Sequence, residues 1–350
     1  MKQYSDSASA LFESEHSALF AVVEKRIQLE EQFHLSRNLN KAGMHLVDYA
    51  VNFGRLLRVV YRHDLTEALR KEFAWYVHTF SAHEWGQNAL SIILDSWIIA
   101  IQGLIKQPEC NLLADPLQRL RDELPGLFAT IAAGSQNDAA PCDPALISAI
   151  TAGDRQKASQ HILANRQSFS TPDRLIVGML LPAIAEIGKR WQLDQIQIFE
   201  EHLATQVIKS ILLSLPALLS FSASPTGRTA MVGCAPGDEH ELITMALSTY
   251  LEVRGWKVKN LGTSLPADQI IAAVAALRPD ALFLTFTMLY FLDDLITVLD
   301  RLQKDLPNCR VFLGGRGAVL ARSLLESKNA LVAENFDKGE QMALEALKNA

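Results

Sequence analysis

Asp238 and His240 stand two residues apart in the stretch Cys234-Ala-Pro-Gly-Asp-Glu-His-Glu-Leu242, a spacing that suits metal chemistry. An imidazole can coordinate a metal through one ring nitrogen while a nearby carboxylate holds the other. The same pair could instead simply open a helix, with Asp238 as its cap and His240 in a polar first turn. Two further groups lie downstream, Thr285-Phe-Thr287 and Gly314-Gly315. Glycines at a strand end let a backbone lie close against a large ligand, and threonines on alternate strand positions share one face. Upstream, Trp191 is followed after nine residues by Glu201-His202, which adds a broad ring, a carboxylate and a second imidazole. Read blandly, these are a core tryptophan near a helix end and a polar pair on a solvated helix face.

The elements that must position these residues follow from periodicity. From Arg228 onward apolar strand patterns alternate with helical ones: Thr229–Cys234, Lys257–Leu261, Ala281–Thr287, Arg310–Gly314 and Ala330–Ala333 read as strands, and a helix begins near Glu239. Such alternation implies right-handed crossovers and a parallel sheet. Ligands of doubly wound sheets bind outside the carboxyl ends of the strands, where all three downstream groups fall. Residues 226–350 are therefore expected to form a Rossmann-like, flavodoxin-like α/β domain. Residues 144–222 carry four helical patterns with short connections, an antiparallel bundle. Their last helix is expected from Gln197 to Leu213. Gly134 to Asp143 is small, polar and proline-containing, and reads as a linker.

Residues 1–134 read as an all-α domain of roughly six helices. Leu46, Tyr49, Ala50, Phe53, Leu56, Leu57 and Val60 recur at three and four, the stripe of an amphipathic helix. Asp115-Pro116 reads as a cap and a first-turn proline opening a helix. His16, His34, His45, His63, His78 and His83 fall in this region without a recognisable metal spacing. His78 and His83 lie among Trp75, Tyr76, Phe80 and Trp85, which could line a pocket for a flat tetrapyrrole-like ligand or simply form core. The chain as a whole is multidomain, α and α/β.

Composition narrows the function. With 49% apolar and 21% charged residues the chain has the make-up of a soluble globular protein. A net charge of −6 without a long basic run argues against direct binding of DNA or RNA. Cys110, Cys142, Cys234 and Cys309 are scattered, which suits reduced thiols and a cytoplasmic location. The polar N-terminus does not read as a signal peptide, and Ala89–Ile105 is too often interrupted by polar residues to read as a membrane span. No catalytic pair marks the chain as an enzyme in its own right.

Asp238-Glu-His240-Glu-Leu-Ile243, then 41 residues to Thr285-Phe-Thr287, then 26 residues to Gly314-Gly315, resembles the cobalamin-binding signature D-x-H-x-x-G, S-x-L and GG. The resemblance implies that His240 coordinates cobalt from below in place of the cofactor's own dimethylbenzimidazole, with Asp238 as its partner and Glu239 beside it. Thr285, Thr287, Gly314 and Gly315 would then line the channel for the nucleotide tail. Two departures stand out: Ile243 replaces the usual glycine, and Thr285-Phe-Thr287 replaces S-x-L. Trp191, nine residues and Glu201-His202 resemble the W-x9-EH signature of CarH-type cobalamin-dependent photoreceptors, in which a four-helix bundle caps adenosylcobalamin. By that resemblance Trp191 and Glu201 hold the adenosyl group, and His202 becomes the upper ligand after light breaks the cobalt–carbon bond.

The resemblance covers about residues 144–327. CarH-type regulators carry a winged DNA-binding domain at the N-terminus, whereas residues 1–134 lack its β-wing and basic charge. Output would run through a homo-oligomer with light-dependent assembly or a downstream protein partner. Photocobilins join a similar module to a bilin-binding region, which implies biliverdin as a second chromophore near His78, His83, Trp75 and Tyr76. The competing expectation is a corrinoid methyl carrier serving separate methyltransferases.

Overall fold

The structure, a computed structural model, describes residues 4–32, 46–83, 85–133, 142–219 and 224–348. His34, His45 and most of the expected linker lie outside the described residues. The chain divides into two compact units, Met1–Gln136 and Asn137–Ala350.

The first unit holds five helices among its described residues: α1 (Asp6–Glu30), α2 (Leu46–His63), α3 (Thr66–Phe80), α4 (Gly86–Leu104) and α5 (Glu109–Ala133). Helix α4 buries Ala89, Leu90, Ile93, Leu94, Trp97 and Ile101, the three-and-four stripe of a core helix. Trp97 lies flush against α2. A Cβ at Gly54 would come within 2.2 Å of the Trp97 ring, so only glycine permits this approach. The Trp97 indole N–H donates to Ala50 O at 3.3 Å, which satisfies the one polar atom that the ring carries inside.

One boundary differs from expectation. Pro116 does not open a helix; α5 starts at Glu109 and runs through both Pro116 and Pro125. A proline inside a helix costs about 3 kcal/mol in an exposed host. Here Cys110, Leu113, Ala114, Leu117, Leu120 and Leu124 bury a continuous stripe on both sides of Pro116, and that burial holds the helix together.

The second unit begins with a bundle: α6 (Pro144–Thr151), α7 (Arg155–Asn165), α8 (Pro172–Leu175), a π-helical turn (Ile176–Leu180), α9 (Leu181–Gln192) and α10 (Ile198–Leu218). Asp143 and Asp154 cap α6 and α7 by accepting backbone N–H bonds. A capping box between Gln197 and Glu200 starts α10. The sheet domain follows: β1 (Thr229–Cys234), α11 (Glu241–Val253), β2 (Lys257–Asn260), α12 (Ala267–Leu277), β3 (Ala281–Thr285), α13 (Leu292–Asp305), β4 (Arg310–Gly314), α14 (Arg316–Leu320), α15 (Arg322–Ser327), β5 (Leu331–Val332) and α16 (Phe336–Lys348). All pairings are parallel, in the order β2-β1-β3-β4-β5. This is the flavodoxin-like order, whose ligand crevice opens between the carboxyl ends of β1 and β3.

The bundle and the sheet domain share one core. Ile176, Ile208 and Leu212 pack in the same hydrophobic cluster as Tyr250, Phe283 and Phe312. The change of pattern near residues 222–226 therefore marks a change of architecture within one compact unit. A polar network fastens the two layers. Arg174 pairs with Asp337, Arg254 pairs with Asp173 and Glu340, Tyr250 donates to Asp337 at 2.7 Å, and Trp256 donates to Glu340 at 3.0 Å. Among the described residues no helix is long and apolar enough to cross a membrane.

Candidate functional site

The β1–α11 loop holds the Asp238–His240 pair. Gly237 turns the chain there with φ +78°, and a Cβ would sit 2.7 Å from the Phe291 ring. Asp238 follows with no exposed surface. One of its carboxylate oxygens lies 2.6 Å from His240 Nδ1 and 3.1 Å from the His240 backbone N; the other accepts the Thr287 N–H at 2.6 Å. Burial alone would raise this carboxyl, but the bonds from His240 and Thr287 outweigh it and the net shift is downward. An ionised Asp238 places the His240 proton on Nδ1 and leaves Nε2 unspent, on a side chain 48% exposed. The helix-cap alternative fails, because α11 begins at Glu241 and the Asp238 oxygens serve His240 and Thr287 instead. Glu239 is exposed and accepts the Ser264 hydroxyl at 3.3 Å.

The three strand-end groups form one row across the sheet. Cys234 is in register with Thr285, and Thr285 with Gly314. Behind the row lies a cavity of about 420 Å³ between the π-turn helix and the strand ends, lined by Thr285, Gly314 and Gly315. A Cβ on Gly314 would meet only Ala333 O at 3.9 Å, so the missing side chain is cavity space. Gly315 is required for another reason: its φ is +102°, and a Cβ would come within 2.6 Å of Phe286 O. Burial pushes the Cys234 thiol up to about 11, which keeps it neutral beneath the row.

Thr287 departs from its expected place. Strand β3 ends at Thr285, so the two threonines do not share a strand face. Beyond Thr285 the chain turns to bring the Thr287 N–H to Asp238, and this residue acts through its backbone. Ile243, in the first turn of α11, forms part of the cavity wall.

At the turn between α9 and α10, Trp191 lies at the end of α9 and Glu201-His202 near the start of α10, with only residues 193–197 between the helices. Trp191 is 47% exposed, and Ile198 and Phe199 at the start of α10 are more so. His202 Nδ1 lies 2.9 Å from Ile198 O and 3.0 Å from a Glu201 oxygen, which leaves its Nε2 unspent as well. Two supporting residues escape a motif search. Thr205 donates to Glu201 at 2.7 Å, and Lys209 pairs with Glu241 beside the His240 loop. The i,i+4 spacing of Glu201 and Thr205 was a readable signal; Lys209 and Glu241 meet only through the fold.

The aromatic group of the first unit is largely consumed by packing. Tyr76 is buried edge-on against Phe53, with ring centroids 5.6 Å apart, and Trp75 packs on Tyr76 at 5.1 Å. His83 stacks on Trp85 at 4.9 Å. His78 is half-buried on α3. Tyr76 therefore belongs to the core and not to a pocket wall.

Two family models match the second unit. Residues 228–347 match the B12 binding domain, and residues 144–215 match a second B12 binding domain model. The HTH-type transcriptional repressor CarH of Myxococcus xanthus is 27% identical over 239 residues, covering 66% of this chain and 78% of that protein. The HTH-type transcriptional repressor CarA of the same organism is 29% identical over 181 residues, 52% of this chain and 59% of that protein. Among solved structures, the monomethylamine corrinoid protein of Methanosarcina barkeri matches with a TM-score of 0.44 at 16% identity, over 57% of this chain and 95% of that one. The second unit is thus a B12-binding module, a helical bundle followed by a parallel sheet. Over this unit the chain is similar to B12 binding domains, and over stretches longer than either domain match to the CarH and CarA repressors.

The residues present fit that group. Among the described residues no three His, Cys, Asp or Glu side chains gather as a free metal ion would require. A cobalt held in a corrin ring needs from the protein only an axial ligand, and His240 offers one nitrogen with the other already held. The cavity behind Gly314 is of the size that small-molecule sites use, about 300–1,000 Å³.

Proposed function

We propose that the chain is a cobalamin-dependent photoreceptor that works with adenosylcobalamin. When bound, this cofactor supplies a cobalt–carbon bond that visible light breaks. His240 would hold the cobalt through Nε2, and Asp238 would keep that nitrogen aimed by fixing the proton on Nδ1. Thr285, Gly314 and Gly315 line the tail channel. Trp191 and Glu201 cover the upper face and keep water from it. His202 shares its Nδ1 proton between Ile198 O and Glu201, and its free Nε2 is the atom that would serve as a second nitrogen ligand after photolysis.

The observation that carries this reading is a tryptophan left 47% exposed at the end of α9, with an imidazole whose Nε2 is unspent in the first turns of the following helix. Monomeric proteins seldom leave such apolar side chains together in water without a ligand or partner to cover them. Loss of the upper contacts would free the bundle to shift against the sheet domain, and that shift changes self-association or the hold on a protein partner. The related repressors are named for a helix-turn-helix activity; the acidic balance of this chain favours output through protein association.

The test is an absorption spectrum of the full chain reconstituted with adenosylcobalamin in the dark, repeated after green light. The expected result is a change to a product with imidazole on both sides of the cobalt. His202→Ala should keep dark binding and lose that product. A spectrum indifferent to light sinks the sensor reading. A methyl carrier would use the same lower ligand but has no use for Trp191 and Glu201-His202.

A further inference from the structure

Helix α11 follows His240 directly, and ion pairs fasten both of its ends to other elements. Arg254, just past the carboxyl end, holds Asp173 and Glu340. Glu241, the first residue, holds Lys209 of α10. The main chain around Glu241 is tied as well: its N–H donates to Glu239 O at 2.8 Å, and its carbonyl accepts the hydroxyl of the buried Thr244 at 2.7 Å. A restraint on the Glu241 carboxylate therefore reaches the His240 backbone through a single peptide bond. His240 depends on such restraints, because its side chain is 48% exposed and little packing holds it. Asp238 fixes the Nδ1 side of the ring but not the residue that follows.

Lys209 also stands on an informative row. Glu201, Thr205 and Lys209 follow at i, i+4 and i+8 along α10, with Thr205 donating to Glu201 at 2.7 Å. The row spans about 12 Å of one continuous helix. One end carries the Glu201-His202 pair, and the other grips the neighbour of His240.

We propose that Lys209 is a positioning residue: its ion pair with Glu241 sets the direction of His240 Nε2 and couples that direction to the helix bearing Glu201 and His202. The proposal rests on the reading of His240 as the cobalt ligand.

The test loads the full chain, labelled with histidine carrying the heavy nitrogen isotope, with cob(II)alamin. Electron paramagnetic resonance then shows a protein nitrogen on the cobalt as a splitting distinct from that of the cofactor's own base. The unaltered chain should show this splitting, and His240→Ala should lose it. Lys209→Ala should raise the ratio of unsplit to split signal roughly two- to five-fold, with circular dichroism unchanged. Glu241→Gln should do the same, and the double variant no more than either single one. Lys209→Arg, which keeps the charge, should stay near the unaltered ratio. Arg254→Ala, which loosens the other end of α11, should lower the melting temperature and leave the ratio alone. An unchanged ratio in Lys209→Ala overturns the proposal, as do additive effects in the double variant. Equal rises in Arg254→Ala or Lys209→Arg overturn it too. Absence of the splitting from the unaltered chain would overturn the reading of His240 itself, whereas an unchanged Lys209→Ala ratio would leave that reading standing.

Discussion

Trp97 in the first unit and Trp191 in the second both sit on amphipathic helices, and the chain uses them in opposite ways. Trp97 has no exposed surface, abuts a glycine that lets α2 approach it, and spends its N–H on a backbone carbonyl. Trp191 keeps nearly half its surface in water, and Phe199, at the start of the next helix, is 64% exposed. The first arrangement is a ring used for stability. The second forgoes that stabilisation, and the forgone burial is what a ligand or partner can recover on binding. A large aromatic therefore informs on function through what it leaves uncovered more than through its presence.

The largest expected effect tests this contrast directly. Trp97→Ala should destabilise the first unit by about 3–5 kcal/mol, the range for truncating a buried large aromatic. Trp191→Ala should change stability by no more than about 0.5 kcal/mol, as substitutions away from a packed core do. Urea denaturation followed by circular dichroism measures both. A loss at Trp191 comparable to that at Trp97 would show that the exposed ring is structural after all, and the contrast would fail.

The next effect concerns what holds the second unit's two layers together. Arg254→Ala removes one partner each from Asp173 and Glu340, both almost fully buried, and should cost about 1–3 kcal/mol for the lost charge-assisted bonds. The melting transition that Trp97→Ala leaves unmoved should be the one that falls. If Arg254→Ala lowers the other transition instead, the network does not fasten the bundle to the sheet.

Much of this was legible before any coordinates. The alternation after Arg228 specifies a parallel sheet because strand and helix periodicities differ so strongly, and the strand-end groups follow from where such sheets bind ligands. The places where reading failed share a cause. Pro116 looked like a helix start because its local chemistry says so, but the stripe from Cys110 to Leu124 overrides it. Thr287 looked like a strand residue because threonine suits strands, yet its N–H is drawn away by a buried carboxylate 49 positions distant. Tyr76 looked available to a ligand because sequence lists aromatics without saying which face each one packs. Lys209–Glu241 and Arg174–Asp337 carry no local signature at all, since each pair is created by the docking of one element on another.

The smallest expected effect separates the two units by pH. In the first unit burial lowers the His16 imidazole, set among Phe12 and Trp97, below its ordinary 6.5. The unfolded chain then binds a proton at a pH where the folded unit refuses it, so stability declines as pH falls below 6.5 towards the folded value. In the second unit burial would raise Asp173, but its bonds to Thr171 and the charges of Arg254 and Arg174 lower it overall; the bond from Arg174 lowers Asp337. These carboxylates contribute fully above the unfolded value of about 3.9 and lose that contribution only as pH falls below it. Between pH 7.5 and 5.5 the transition identified by Trp97→Ala should therefore drop while the other holds, and His16→Gln should flatten the drop. A fall of the second transition over that same interval would mean that the Asp173 and Asp337 network does not govern its acid response, and the contrast between the units would then lie elsewhere than in their buried charges.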